Sequence, residues 1–140
     1  MKIIDNGLTP EIFIKLRELI GFQNYQKEDV IKALNNCLYT VVIFDNDEAI
    51  GMGRVVGDGR IAFFIKDVVV RKEYQGKGIG TIIMKAIFRY LNKAACNNAY
   101  VGLMSTPNVE GFYERFGFIR RPNSKYGAGM VLYYKGELYD

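Results

Sequence analysis

The chain has 140 residues, of which 49% are hydrophobic and 24% charged, with a net charge of +4. That length supports one domain, residues 1–140, with one sizeable core, and no apolar run approaches the roughly 20 residues of a membrane span. Histidine is absent, which removes every mechanism built on a histidine base and makes a zinc or haem site a poor fit, so no metal is expected.

The start, "MKIIDNGLTPEIF", has no long apolar core or small-residue cleavage site, so no signal peptide is expected. Cys37 and Cys96 stand alone, without metal-ligand spacing, and read as reduced thiols of a cytoplasmic protein. The positive charge is scattered and suits an anionic ligand. No dense basic stripe with interleaved aromatics argues for nucleic acid.

"LTPEIFIKLRELIGF" reads as a helix, with Thr9 as cap, Pro10 at the first position, and Ile12, Leu16, Leu19 and Ile20 on one face. "QKEDVIKALNNC" reads as a second, short helix. "LYTVVIF", "AIGMGRVV" and "IAFFIKDVVV" read as three consecutive antiparallel strands. "DNDE" turns between the first two, and Asp58-Gly59 is a two-residue hairpin signal before the third.

Ile79, Ile82, Ile83, Ala86, Ile87 and Tyr90 trace one face of a helix through about residue 91. "AYVGLMS" reads as a strand. "TPNVEGFYERF" reads as a short helix capped by Thr106, with Pro107 at its first position and Gly117 after its end. "GMVLYYK" is expected to close the sheet. The sum is an α/β fold with a mixed, mostly antiparallel sheet.

Between the third strand and the long helix lies "DVVVRKEYQGKGIG", with Gly76, Gly78 and Gly80 at alternate positions. So much glycine carries a backbone-entropy cost that a plain turn does not need. It lets a ligand approach the main chain where first-turn N–H groups lack internal partners, and such donors with the helix dipole suit a phosphate or pyrophosphate. The P-loop pattern is absent, since Lys77 precedes the second glycine and no Ser or Thr follows it. The spacing is also not that of a dinucleotide fingerprint.

The stretch Gln75-Gly76-Lys77-Gly78-Ile79-Gly80 is similar to the Q/R-x-x-G-x-G/A pyrophosphate loop of the GNAT superfamily of N-acetyltransferases. The later "GFYERFGF" resembles their "FYEKLGF" helix, and the order of elements agrees over nearly the whole chain. The resemblance implies the GNAT fold, with a splayed central strand pair flanked by helices. It implies acetyl-coenzyme A as donor and a primary amine as acceptor. A small bacterial-type enzyme of the arylalkylamine N-acetyltransferase kind, moving acetyl by direct transfer to a small-molecule amine, is the first reading. A protein or peptide acceptor, or a coenzyme A-binding sensor without turnover, are the alternatives. The resemblance leaves a homodimer open, with neither nucleic acid nor membrane as partner.

By that resemblance, the amides of Gln75, Gly76, Lys77, Gly78, Ile79, Gly80 and Thr81 hold the pyrophosphate. Val68, Val69 and Val70 offer main-chain groups to the pantetheine and the acetyl carbonyl, as a one-donor oxyanion site. Arg71 and Lys72 add charge near the phosphates or sit in a solvated loop. Tyr113 matches the tyrosine that protonates the leaving sulfur in relatives. Phe112 and Asn108 lie on the cofactor side. Relatives place the pantetheine asparagine further upstream of the tyrosine than Asn108 stands from Tyr113, and this departure separates the chain from the family pattern. Gly111 allows close approach of the cofactor. Asp67, which interrupts an apolar strand, is either the base for the incoming amine or a structural carboxylate holding loop amides. Phe22, Tyr25, Arg54 and Phe64 are the expected acceptor-pocket residues, with Arg54 either holding an acceptor carboxylate or exposed on a half-buried strand. Glu73 and Glu114 read as solvated charges.

Overall fold

The chain opens with a strand that its pattern did not signal, β1 (Lys2–Asp5). Only Ile3 and Ile4 are apolar there, too few for a strand period. Antiparallel pairing with β2 (Tyr39–Asp45) makes the strand, from Lys2 opposite Phe44 to Asp5 opposite Val41. This computed structural model describes residues 1–136.

Helix α1 (Pro10–Leu19) starts as expected: the Thr9 hydroxyl accepts from the Ile12 N–H at 3.2 Å and Pro10 takes the first position. Its buried residues are Phe13 and Leu16, whereas Leu19 is exposed, so the apolar face is turned from the one expected. The helix ends in a Schellman motif. Gly21, at φ +80°, donates to the Glu18 carbonyl at 3.1 Å, and Phe22 donates to the Arg17 carbonyl at 2.9 Å. Helix α2 (Lys27–Asn35) follows and buries Val30.

Strands β2, β3 (Glu48–Gly57) and β4 (Ala62–Val70) form the expected antiparallel meander. The link between β3 and β4 is wider than the two-residue turn expected at Asp58-Gly59. Asp58 donates its N–H to the Ala62 carbonyl, and its Oδ1 accepts from the N–H groups of Arg60, Ile61 and Ala62 at 2.8, 2.9 and 3.1 Å. One carboxylate thus organises the whole turn.

Helix α3 (Ile79–Ala94) crosses one face of the sheet and runs past residue 91. Glycines on β3 allow it close: a Cβ on Gly53 would stand 2.8 Å from Ile83 Cγ2 and 3.2 Å from Ile87 Cδ1. The other face carries a core of Leu8, Phe13, Leu16, Val30, Val42, Met52 and Val69.

Strand β4 changes faces partway. Met52 stands opposite Val69 but Arg54 stands opposite Lys66, so Asp67 and Val68 together oppose Gly53. This is a β-bulge, and Asp67 within it takes a left-handed φ of +56°. Ile65, opposite Val55, therefore points to the α3 face, while Val69 points into the core under α1.

The sheet order is β1-β2-β3-β4-β5, and β5 (Tyr100–Gly102) pairs with β4 in parallel. Pairing runs only from Ala62 opposite Tyr100 to Phe64 opposite Gly102. Beyond Phe64, β4 continues to Val70 with no β5 partner, which is the splay.

These elements make one compact unit, Met1–Leu103, and a second begins at Met104. In the second, α4 (Glu110–Glu114) starts later than expected. Thr106 and Pro107 precede it because Asn108 takes φ +69°, a left-handed residue that a helix start cannot include. Gly117, at φ +98°, follows the helix as expected and donates to the Glu114 carbonyl at 3.0 Å. "GMVLYYK" forms no strand in the structure; Met130, Val131, Leu132, Tyr133 and Tyr134 are all exposed. Strand propensity there finds no ladder partner among the described residues.

Candidate active site

The geometry is set where β4 leaves the sheet. Arg71 donates its N–H to the Ile50 carbonyl at 2.9 Å, continuing the β3–β4 ladder. Main-chain direction alternates along a strand, so Val69 also turns its main-chain groups to β3. Val70 turns its N–H and C=O the other way, to the edge that β5 leaves open. On that edge, Gln75 Nε2 donates to the Val70 carbonyl at 3.0 Å, and the Val70 N–H points along the same side.

A 3-10 turn, Lys72–Tyr74, leads into the glycines. Gly76 has φ +76°, and Gly78, with φ +83°, is the N-cap of α3. A Cβ on either would meet nothing within 4 Å, so the left-handed backbone, not crowding, demands glycine. No side chain caps this end, and its first turn holds no acidic residue. The first helical bond runs from the Ile82 N–H to the Gly78 carbonyl at 3.1 Å. The N–H groups of Ile79, Gly80 and Thr81 therefore precede the helix's own acceptors. Gln75, Gly76, Lys77 and Gly78 are exposed.

These features fit a pyrophosphate: an anion needs free N–H donors at a positive helix end with no competing carboxylate. The Lys77 ammonium lies 5.6 Å from the Tyr74 ring centre, and the Tyr74 hydroxyl donates to Asp45 at 2.6 Å. Arg71 does not serve as free charge here, because its guanidinium bonds Glu48 and Glu73, the latter at 3.0 Å.

Asp67 lies deeper. Its side chain is 2% exposed, and both oxygens are held by guanidinium groups: Oδ1 by Arg17 Nη1 and Oδ2 by Arg54 Nε at 2.7 Å. The loop amides weighed as partners of a structural carboxylate are not its partners. Arg54 is neither free for an acceptor carboxylate nor exposed on a strand face; its side chain is 14% exposed and also donates to Cys37 Sγ at 3.6 Å. Arg17 bonds the Gln23 carbonyl and lies 5.4, 5.3 and 5.5 Å from the ring centres of Phe13, Phe22 and Tyr25. Phe22 and Tyr25 are exposed, while Phe64 on β4 packs beside Gly102 on the edge strand β5.

Sequence reasoning missed Arg17. The signal was available: Arg17 follows the buried Phe13 by four residues, on the same helix face, and opposite charges interrupt two neighbouring strands at Arg54 and Asp67.

In the second unit, Tyr113 sits among aromatic rings, 5.0 Å from Phe112 and 6.1 Å from Phe118, both edge-to-face. Burial pushes its phenol above the ordinary value. Glu114 pairs with Arg120 at 2.7 Å.

The comparisons with known proteins meet this geometry at the family level. The family model of the GNAT acetyltransferase domain matches residues 17–133. The chain belongs to the GNAT acetyltransferase family. A probable acetyltransferase of unknown function from meticillin-resistant Staphylococcus aureus has a similar structure, at TM-score 0.86 and 36% identity, covering 95% of this chain and 98% of that one. A GNAT family protein from Streptococcus pneumoniae TIGR4 is similar at TM-score 0.77 and 27% identity, over 97% and 98% of the two chains. Serotonin N-acetyltransferase 2, chloroplastic, of Oryza sativa subsp. japonica is 29% identical over 137 residues, which are 93% of this chain and 63% of the rice protein. The chain thus spans less than two thirds of that relative's length. The GNAT fold is the one observed, with its mixed sheet and splayed strands. No helix among the described residues is long and apolar enough to cross a membrane.

Proposed function

We propose that this GNAT chain moves the acetyl group of acetyl-coenzyme A directly to the primary amine of a small molecule. The observation that carries the reading is the junction after β4. An open strand edge at Val70 leads, within one loop, to an uncapped helix end with left-handed glycines. One half suits a thioester arm and the other suits a pyrophosphate. We take residues 1–140 as one acetyltransferase domain of the cytoplasm, since the family match runs through both units.

Bound acetyl-coenzyme A supplies an activated thioester. The chain does the rest. Amides from Gln75 to Thr81 hold the pyrophosphate, and the Val70 N–H donates toward the acetyl oxygen, where negative charge develops. Asn108 and Phe112 belong to the cofactor side. Phe22, Tyr25 and Phe64 provide apolar surface for the acceptor. The rice relative is named for a small amine, serotonin, which supports this acceptor class.

Two protons must be managed. An alkylammonium with a pKa near 10.4 is neutral in about one molecule per thousand at pH 7, so the free amine is the species that reacts. Tyr113 is the acid for the leaving sulfur. Its raised pKa keeps the phenol protonated until a thiolate, whose thiol has a pKa near 8.5, forms. Asp67 has both oxygens bonded to arginines, so we give it no proton-transfer role. The proton that the amine nitrogen loses as the amide forms passes to solvent, and solvent returns a proton to Tyr113.

The test is coenzyme A release with a panel of small amines and a panel of peptides. Release that depends on a small amine is the expected result. Release only with peptides moves the acceptor class, and tight acetyl-coenzyme A binding with no release on either panel points to a sensor.

A further inference from the structure

We propose that Arg17 and Arg54 clamp Asp67 so that the bulge in β4 stays locked, and that Asp67 is a positioning residue for the Val70 N–H. The catalytic part rests on the acetyltransferase reading; the structural part does not.

This bulge uses left-handed backbone, which is costly for a residue that carries a Cβ. Asp67 sits at φ +56°, where residues other than glycine are strained and Asp or Asn are tolerated best. The bulge also sets direction. Every residue after it, including Val69 and Val70, has its facing and its main-chain direction fixed by that one extra residue. Without the bulge, the N–H now facing the open edge would turn toward β3.

Something must hold Asp67 in this conformation. Arg54 grips one oxygen from the neighbouring strand, and Arg17 grips the other from α1. The carboxylate is therefore tied to two elements besides its own. The arginines are fixed in turn. Arg17 is enclosed by Phe13, Phe22 and Tyr25 and bonded to the Gln23 carbonyl, and Arg54 lies 5.7 Å from the Phe13 ring centre and bonds Cys37. Phe22 reaches Arg17 because the Schellman motif turns the chain back at Gly21.

The charges explain why the group acts as a unit. Two guanidinium groups share one carboxylate in a largely buried place. If the carboxylate alone is neutralised, two buried like charges are left facing each other. If one arginine is removed as well, most of that repulsion goes.

The experiment compares Asp67→Asn with the double variant Arg17→Met/Asp67→Asn. Asparagine tolerates the left-handed backbone, and methionine keeps contact with the rings. Hydrogen exchange at the Val69 and Arg71 amides, which are turned to β3, is read first, in protein without ligand, where it needs no activity. Asp67→Asn is expected to speed exchange there and to lower kcat about 10²-fold through misplaced geometry. The double variant is expected to restore part of the protection and to regain roughly tenfold in kcat. If the double variant does not fold, Arg54→Met/Asp67→Asn makes the same comparison. Unchanged exchange in Asp67→Asn overturns the clamp. So does a double variant no faster than Asp67→Asn, which is the behaviour of a lost base. A wild-type protein that releases no coenzyme A with any acceptor ends the acetyltransferase reading and leaves the exchange result standing.

Discussion

The Gln75 side-chain amide donates to the Val70 carbonyl at 3.0 Å, so the first residue of the glycine loop is tied to the last residue of β4. The tie joins the two halves of the proposed donor site. Removing it with Gln75→Ala takes away one hydrogen bond worth about 1 kcal/mol, or about a fivefold weakening of acetyl-coenzyme A binding. Isothermal titration calorimetry checks this; an unchanged affinity would mean that the loop is held by its glycines alone.

Gly78 caps α3 at φ +83° with open space where a Cβ would be. Gly78→Ala should therefore cost about 1–2 kcal/mol of backbone strain with no clash. Thermal melts should show a lower Tm, and acetyl-coenzyme A affinity should fall as the first-turn amides shift. Gly78→Asn should retain more of both, because asparagine visits the left-handed region more readily. Equal losses in the two variants would implicate the side-chain space instead.

Tyr113 is held above its ordinary pKa by burial. A raised value means that the protonated phenol is the favoured form, and that the proton is lost only as pH rises beyond the usual phenol value of about 10. Turnover should therefore show no alkaline loss from this group between pH 7 and about pH 10. Tyr113→Phe should lower kcat about 10²-fold while acetyl-coenzyme A affinity changes far less. Steady-state kinetics with binding by calorimetry separates the two; full turnover in the variant would remove Tyr113 from the chemistry.

Much of this was legible in the sequence, for local reasons. Thr9 and Pro10 mark the start of α1, the isoleucines of α3 repeat at helical spacing, and Gly76 and Gly78 mark left-handed backbone. Each signal is carried by residues close together in the chain. What was not legible depends on partners far away. β1 is a strand only because β2 accepts it. The pattern of "GMVLYYK" promised a strand, but propensity without a ladder partner does not make one. Asp67 and Arg54 were each singled out as oddities in apolar strands. Their pairing, and the share of Arg17 from a helix fifty residues away, came from the tertiary fold. Asp67 thus changed from a candidate base into the proposed centre of a clamp.

The most direct test of acetyl transfer is coenzyme A release from acetyl-coenzyme A, followed with the thiol assay on paired panels of small primary amines and of peptides, with mass spectrometry of the acceptor. The result predicted is release that rises with a small amine and an acceptor heavier by one acetyl group. Tight acetyl-coenzyme A binding with no acetylated acceptor on either panel would contradict it.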